Sequence, residues 1–284
     1  MKKLLSILIL AAAFLQGCQE VGPTVDIDGK SNLLGDTTYM ESSVATPQDR
    51  LVVLEEFTGV RCVNCPRAHE TIKQLLLAHP GRVLAVGIHT GIFSQPYPDR
   101  ADFRIEQGND IEQMLGTAPG YPSGAVNRTL FDGETRIILV DSKWSNYINS
   151  ELSEPTPVNI NLVKVYNPVT RSLDFNATIR FTANESRELF LTAYLAEDNI
   201  VEHQLTPAGI DQAYIHKHVA RKLITPLSGQ PITAPSFTPG RVVIQNFALT
   251  VDPAWNPANL KLIVFVHGGG TDKAVLHAAY TTVE

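Results

Sequence analysis

Two of the chain's three cysteines, Cys62 and Cys65, are separated only by Val63 and Asn64 and followed at once by Pro66. Thiols at this spacing can close a small disulfide ring and reopen it, supply half of a metal site, or act as a plain covalent staple. A structural zinc site takes about four ligands, and no second cysteine pair stands elsewhere in the chain. His69 and His89 are the histidines placed to complete a copper or zinc site, but a lone histidine one turn along a helix is more often a simple polar contact. No metal and no other cofactor is expected. As a staple, so short a ring removes little chain entropy from the unfolded state. Redox exchange uses the spacing best: one thiolate attacks and its neighbour resolves.

Whether such a ring persists depends on compartment. Lys2 and Lys3 precede an apolar run from Leu4 to Leu15, too short to span a bilayer as a helix, and then Leu15-Gln16-Gly17-Cys18. Residues 1–17 therefore read as a signal peptide, and Leu-x-Gly-Cys resembles the bacterial lipobox, in which Cys18 becomes a lipid-modified N-terminus. Lipidation at Cys18 leaves Cys62 and Cys65 alone in an oxidising environment that favours their pairing. Loss of Lys2 and Lys3 takes the formal charge from −6 to −8. An acidic chain without a basic run is a poor partner for nucleic acid or for anionic lipid headgroups, so the lipid does the anchoring.

The elements that must position the pair follow from periodicity. Residues 18–48, rich in Gly, Ser, Thr and Asp, read as a tether. Glu154-Pro155-Thr156-Pro157 marks a boundary between residues 49–153 and 156–284, because two prolines in four residues end any helix. Before it, strands are expected at Leu51–Leu54, Val83–Ile88, Gly124–Asn127 and Thr135–Val140. Helices are expected at Ala68–His79, Asp99–Leu115 and Asp141–Leu152, the last capped by Asp141. After the boundary the period switches to two: Leu173, Phe175, Ala177, Ile179 and Phe181 alternate with polar residues. Further strands are expected at Leu189–Leu195, Arg241–Val251, Leu260–Val266 and Ala274–Thr282. About seven strands in about 125 residues imply a β-sandwich.

This order places Cys62 in a short loop after a strand and Cys65 at the start of a helix. There unpaired amides and the positive end of the dipole favour thiolate over thiol. Arg61 is expected to add a second positive charge. Strand, Cys62-Val63-Asn64-Cys65, then helix, with Glu56 six residues before the first cysteine and Gly120-Tyr121-Pro122-Ser123 downstream, resembles thioredoxin-like proteins. The resemblance implies an α/β thioredoxin-like domain, followed here by an immunoglobulin-like all-β sandwich. It also implies a buried proton relay at Glu56 and a cis-proline at Pro122 facing the disulfide. Arg61 stands where that family usually has Trp, Pro66 directly follows the pair, and about thirty residues, Gly91 to Gly120, are inserted before the proline.

Lipobox, Phe-Thr-Gly-Val-Arg-Cys-Val-Asn-Cys-Pro, Gly120-Tyr-Pro-Ser-Gly-Ala-Val-Asn-Arg128, Tyr214-Ile-His-Lys-His-Val-Ala-Arg221 and a β-rich second half together resemble the outer membrane protein 28 family of Bacteroidetes lipoproteins. That resemblance, from about residue 50 onward, implies an outer-membrane lipoprotein facing the periplasm or the cell surface, sometimes described as an adhesin. Two functions follow. One is thiol–disulfide exchange on envelope proteins, with Cys62 attacking, Cys65 resolving and Pro122 shaping the groove. The other is binding of surface ligands, with the disulfide kept as structure.

Among the remaining candidates, strand alternation points only one of Glu55 and Glu56 inward, and the spacing to Cys62 selects Glu56. His216 and His218 alternate, so on one strand they face one way; without a third ligand they read as structural or surface histidines. His267-Gly268-Gly-Gly270 lacks the Lys-Ser/Thr of a phosphate loop and reads as a turn between strands. No nucleophile-elbow motif is present.

Overall fold

The protein, a computed structural model, is described over residues 35–284; the signal peptide and Cys18 lie outside the described residues. Most of it is β-sheet. Strand β2 (Val52–Thr58) leads through the cysteine loop into helix α1 (Cys65–Ala78), and β3 (Val83–His89) returns parallel to β2. A helix α2 (Gly108–Leu115) follows. Strand β4 (Ser123–Val126) then runs antiparallel to β2, and β5 (Ile138–Val140) pairs with β4. Helix α3 (Trp144–Ser153) closes this half.

Strands β2 and β3 are buried along their whole length. That is expected where both faces of a sheet are covered. Val52 and Leu54 pack with Ala68, Ile72 and Leu75 of α1 and Trp144 and Ile148 of α3. Val53 and Phe57 pack on the opposite face with Ile111 and Leu115 of α2. The buried positions of α1, Cys65, Ala68, Ile72 and Leu75, recur at the three-and-four spacing of one helical face.

The second half contributes β6 (Val158–Asn167), β7 (Ser172–Phe181), β8 (Leu189–Glu197), β9 (Ile200–Thr206), β10 (Gly209–His216), β11 (Val219–Leu223), β12 (Gln230–Pro231), β13 (Arg241–Thr250), β14 (Leu260–Gly268) and β15 (Val275–Thr282). Strands β6, β7 and β13 form one sheet and β8, β14 and β15 belong to the other. The alternating residues Leu173, Phe175, Ala177 and Ile179 meet Leu191, Ala193, Leu262 and Val264 across a common core. The result is a β-sandwich of two packed sheets.

One of those sheets does not stop at the expected boundary. The order β15-β14-β8-β11-β3-β2-β4-β5 carries the hydrogen-bonded path from the second half into the first. The junction is the parallel pairing of Val219 with Gly87, reinforced by a 2.7 Å bond from the Gly87 amide to the His218 carbonyl. The stretch expected as a tether is also corrected in part. Thr37–Met40 form β1, which pairs with β13 and completes the order β1-β13-β7-β6. No sequence alternation marks so short an edge strand; its partner supplies the order.

Other expectations shift for local reasons. The helix expected over Asp99–Leu115 exists only from Gly108. Asp99 adopts φ 59°, and the Asp102 carboxylate accepts the Arg104 amide at 3.0 Å in a turn that competes with helix. Asp141 is not the cap of α3 but starts a single 3₁₀ turn before it and binds Arg67. His216 ends β10, whereas His218, at φ 56°, sits in the bend before β11, so the two do not share a strand face.

Candidate functional site

Cys65 is the first residue of α1, and no side chain caps that end, since Asn64 makes no side-chain cap bond and Pro66 follows. Cys62 and Cys65 form a disulfide with Cα atoms 5.3 Å apart. Gly59, in the turn before them, passes so close to the Phe93 carbonyl that any Cβ there would collide with it. The Arg61 amide donates to that same carbonyl at 2.9 Å. The insertion after β3 thus packs directly on the cysteine loop. The Arg61 guanidinium turns toward this insertion: it donates to the carbonyls of Gln95 and Pro96, each at 2.8 Å, and lies over the Tyr97 ring. It is committed there, which corrects its expected role beside Cys62.

The Tyr121–Pro122 peptide is cis. Register sets Ser123 opposite Phe57, so Pro122 lies at the same sheet end as the loop that carries the cysteines.

Both neighbouring acids are buried, which corrects the expectation that only one of them turns inward. The cause is cover on both faces of β2. Glu55 faces Arg128, whose Nε and Nη2 each donate to it at 2.7 Å, and the Tyr194 hydroxyl donates at 2.9 Å. Glu56, only 3% exposed, has no such counter-charge, and its Oε1 has no hydrogen-bond partner. Burial first, then the charge of Asp141, pushes the Glu56 carboxyl up to about 8.

His69, one turn beyond Cys65, approaches that acid. Its Nε2 lies 3.2 Å from Thr58 Oγ1 and 3.5 Å from Glu56 Oε1, and its Nδ1 lies 2.7 Å from the Tyr214 hydroxyl. Burial, then His216 and His218, lowers the imidazole to about 3, so it is neutral at ordinary pH. Tyr214 is raised to about 12 by burial, then by Glu56, Asp211 and Glu70. Nearby, His89 and His216 pack edgewise on Phe103, with ring centroids 5.1 and 4.9 Å from it. Both ring nitrogens of His89 and Nε2 of His216 lack partners, and burial holds both imidazoles below their usual range. Among the described residues no group of three or more His, Cys, Asp or Glu is arranged to hold a metal ion.

Tyr214 reaches this site on a hairpin from the second half. Strands β9 and β10 pair only with each other. The hairpin crosses the cysteine loop: the Leu205 amide donates to the Val60 carbonyl at 2.8 Å. Gln204 Nε2 donates to the carbonyls of Cys62 at 3.1 Å and Gly59 at 3.3 Å. Cys62 is left 3% exposed and Cys65 fully buried. Sequence reasoning assigned no role to Gln204, Thr58 or Tyr214. Thr58 and Tyr214 fall within quoted stretches, but nothing in them located Tyr214 beside His69, more than a hundred residues away.

His267, at the end of β14, is buried and lies 2.9 Å from Thr192. It serves the sandwich rather than the cysteine site. No helix among the described residues is long and apolar enough to cross a membrane.

Comparison with solved structures shows the fold. HBP35 of Porphyromonas gingivalis superposes with a TM-score of 0.64 at 22% identity, covering 82% of this chain and 75% of that one. A crystal structure from Agrobacterium tumefaciens gives 0.52 at 11% identity, covering 84% and 96%. A domain of the outer membrane lipoprotein Omp28 from Porphyromonas gingivalis gives 0.32 at 15% identity, over 45% of this chain and 88% of that one. No curated protein sequence matches the chain. The family model described as outer membrane protein Omp28 matches residues 111–283, well over half of the sequence, and the chain therefore belongs to the Omp28 family of outer-membrane proteins.

Proposed function

We propose that this outer-membrane protein is a thiol–disulfide oxidoreductase of the envelope, held to the membrane by lipid on Cys18. In this reading residues 49–153 are its thioredoxin-like unit and residues 156–284 an immunoglobulin-like sandwich. One observation carries it: a Cys-x-x-Cys disulfide opens a helix, and the strand leading into it holds an acid, Glu56, buried without a counter-charge. An uncompensated buried acid costs stability, and groups with such perturbed pKa values concentrate where chemistry needs them.

The reduced form attacks with the Cys62 thiolate on a substrate disulfide, forming a mixed disulfide and expelling one substrate thiolate. In its ionised form Glu56 takes the proton of Cys65, and the Cys65 thiolate attacks the Cys62 sulfur. The second substrate thiolate leaves, the Cys62–Cys65 bond re-forms, and two electrons have moved to the substrate. A dithiol donor runs the same steps in reverse to restore the reduced chain. Pro122, at the start of β4, borders the groove in which the substrate strand lies.

A second reading is favoured by a different observation. The disulfide is buried beneath the β9–β10 hairpin, which itself exposes Val201, Ile210 and Ile215. On that reading the disulfide is structure and the chain is a surface-binding or adhesion protein. Replacing Cys65 by Ser in the full chain separates the two. An exchange enzyme accumulates mixed disulfides between Cys62 and envelope proteins, and their identities name its substrates. A chain that yields no adduct and whose Cys62 resists alkylation is the binding protein.

A further inference from the structure

If Glu56 takes the proton of Cys65 at each turnover, it must also release it, and it is 3% exposed on a strand covered on both faces. Little of its carboxyl meets bulk water, and its Oε1 is buried without a hydrogen-bond partner. One ring and one phenol form a polar path away from it. His69 stands with Nε2 3.5 Å from Glu56 Oε1 and Nδ1 2.7 Å from the Tyr214 hydroxyl. Tyr214 is only partly buried, on a hairpin with solvent on its outer side.

We propose that His69 and Tyr214 are the proton exit of the cysteine site, carrying the Glu56 proton to solvent across the contact between α1 and the β9–β10 hairpin. The inference rests on the exchange reading above and adds two relay residues to it. In the step, the protonated Glu56 carboxyl gives its proton to His69 Nε2 while the Nδ1 proton passes to the Tyr214 oxygen. The Tyr214 proton leaves to water. Glu56 ends as carboxylate, His69 as the other neutral tautomer and Tyr214 as neutral phenol, so charge and protons balance. Returning the ring to its first tautomer resets the path.

The surroundings favour such a concerted hop over a stepwise one. Burial with His216 and His218 opposes an imidazolium at His69, and burial with Glu56, Asp211 and Glu70 opposes a phenolate at Tyr214. After burial, the negative charge of Asp141 favours the protonated form of Glu56. Thr58, 3.2 Å from Nε2, competes for the ring when Glu56 is ionised. The 3.5 Å gap exceeds a hydrogen bond and must close during turnover, as loose catalytic contacts do on substrate binding.

The test uses the full chain with a small-molecule disulfide substrate and follows attack and resolution separately in single turnovers. Tyr214→Phe keeps the ring and removes only the hydroxyl, and His69→Gln keeps a polar side chain of similar reach. Both should slow resolution roughly 10- to 100-fold, leave Cys62 alkylation unchanged, and raise the solvent deuterium isotope effect on resolution. Added imidazole should restore part of the rate in Tyr214→Phe. Wild-type resolution rate, isotope effect and pH profile in the correctly folded Tyr214→Phe chain would overturn the relay alone. An unsubstituted chain that exchanges no disulfide would overturn both the relay and the reading beneath it.

Discussion

Gln204 Nε2 donates to the Cys62 carbonyl at 3.1 Å, from a strand 142 residues further along the chain. With the Leu205–Val60 backbone bond it fixes the β9–β10 hairpin over the disulfide. The consequence is that the cysteine pair of one half is closed by a cover from the other.

Gln204→Ala should therefore loosen the cover. Removing the amide takes one donor from each of the Gly59 and Cys62 carbonyls, which keep their backbone donors, and costs about 0.5–1.5 kcal/mol. Reduction of the disulfide by dithiothreitol should accelerate as global stability falls. Unchanged reduction kinetics with a lowered urea midpoint would show that the hairpin does not limit access.

A separate prediction concerns Glu55 and Arg128, both about 1% exposed and joined by two bonds. Arg128→Met strands the Glu55 carboxylate in the core and should cost about 3–5 kcal/mol, because an unpaired buried charge is far dearer than a missing pair. Replacing Glu55 by Gln in the same chain should recover a large part of that loss. Chemical denaturation of the two single variants and the double variant measures the coupling.

The pH dependence of stability has a definite sign. Glu56, ordinarily near 4.5 and raised to about 8 by burial, keeps a proton that the unfolded chain has released. Its contribution is full below about 4.5 and lost as pH rises through about 8. Glu56→Gln should stabilise the protein at alkaline pH by on the order of 3–5 kcal/mol and change little in acid. The buried histidines act oppositely. His69 and His267, lowered to about 3, and His216 and His277, lowered to about 4, stay neutral in the fold. Their contribution is present above about 6.5 and lost as pH falls toward those values. Thermal melts across pH should show a maximum between the two limits, and the alkaline limb should flatten in Glu56→Gln.

Anchoring is tested outside the described residues. Cys18→Ala should abolish metabolic palmitate labelling and release the protein from membranes, since a durable anchor takes two or more acyl chains. Continued labelling of that variant would sink the lipid-anchor proposal.

Much of this was legible in the sequence, and the rest was hidden for physical reasons. Helix α1 announced itself through Ile72, Leu75 and Leu76, and β7 through strict alternation. The hairpin Ile200–His216 did not, because its apolar residues do not alternate onto one buried face: β9 is mostly half-buried and β10 mostly exposed. Glu55 and Glu56 looked like one inward and one outward residue, because a sequence shows the alternation of a strand but not that both its faces are covered. The partner of Glu55, Arg128, sits at φ 51° just after β4, where no periodicity could point to it. Long-range pairings such as His69 with Tyr214 leave no trace in local pattern.

Whether Cys62 and Cys65 are a working redox couple is decided by the equilibrium of their disulfide with glutathione or dithiothreitol. Exchange catalysts lie from roughly −270 to −120 mV, whereas structural disulfides lie below about −300 mV. The Cys62–Cys65 potential should lie inside the catalytic window, with Cys62 alkylating at an apparent pKa below the ~8.5 of free cysteine. A potential well below that window, with a Cys62 that stays unreactive after reduction, would make the disulfide a structural staple and end the exchange reading.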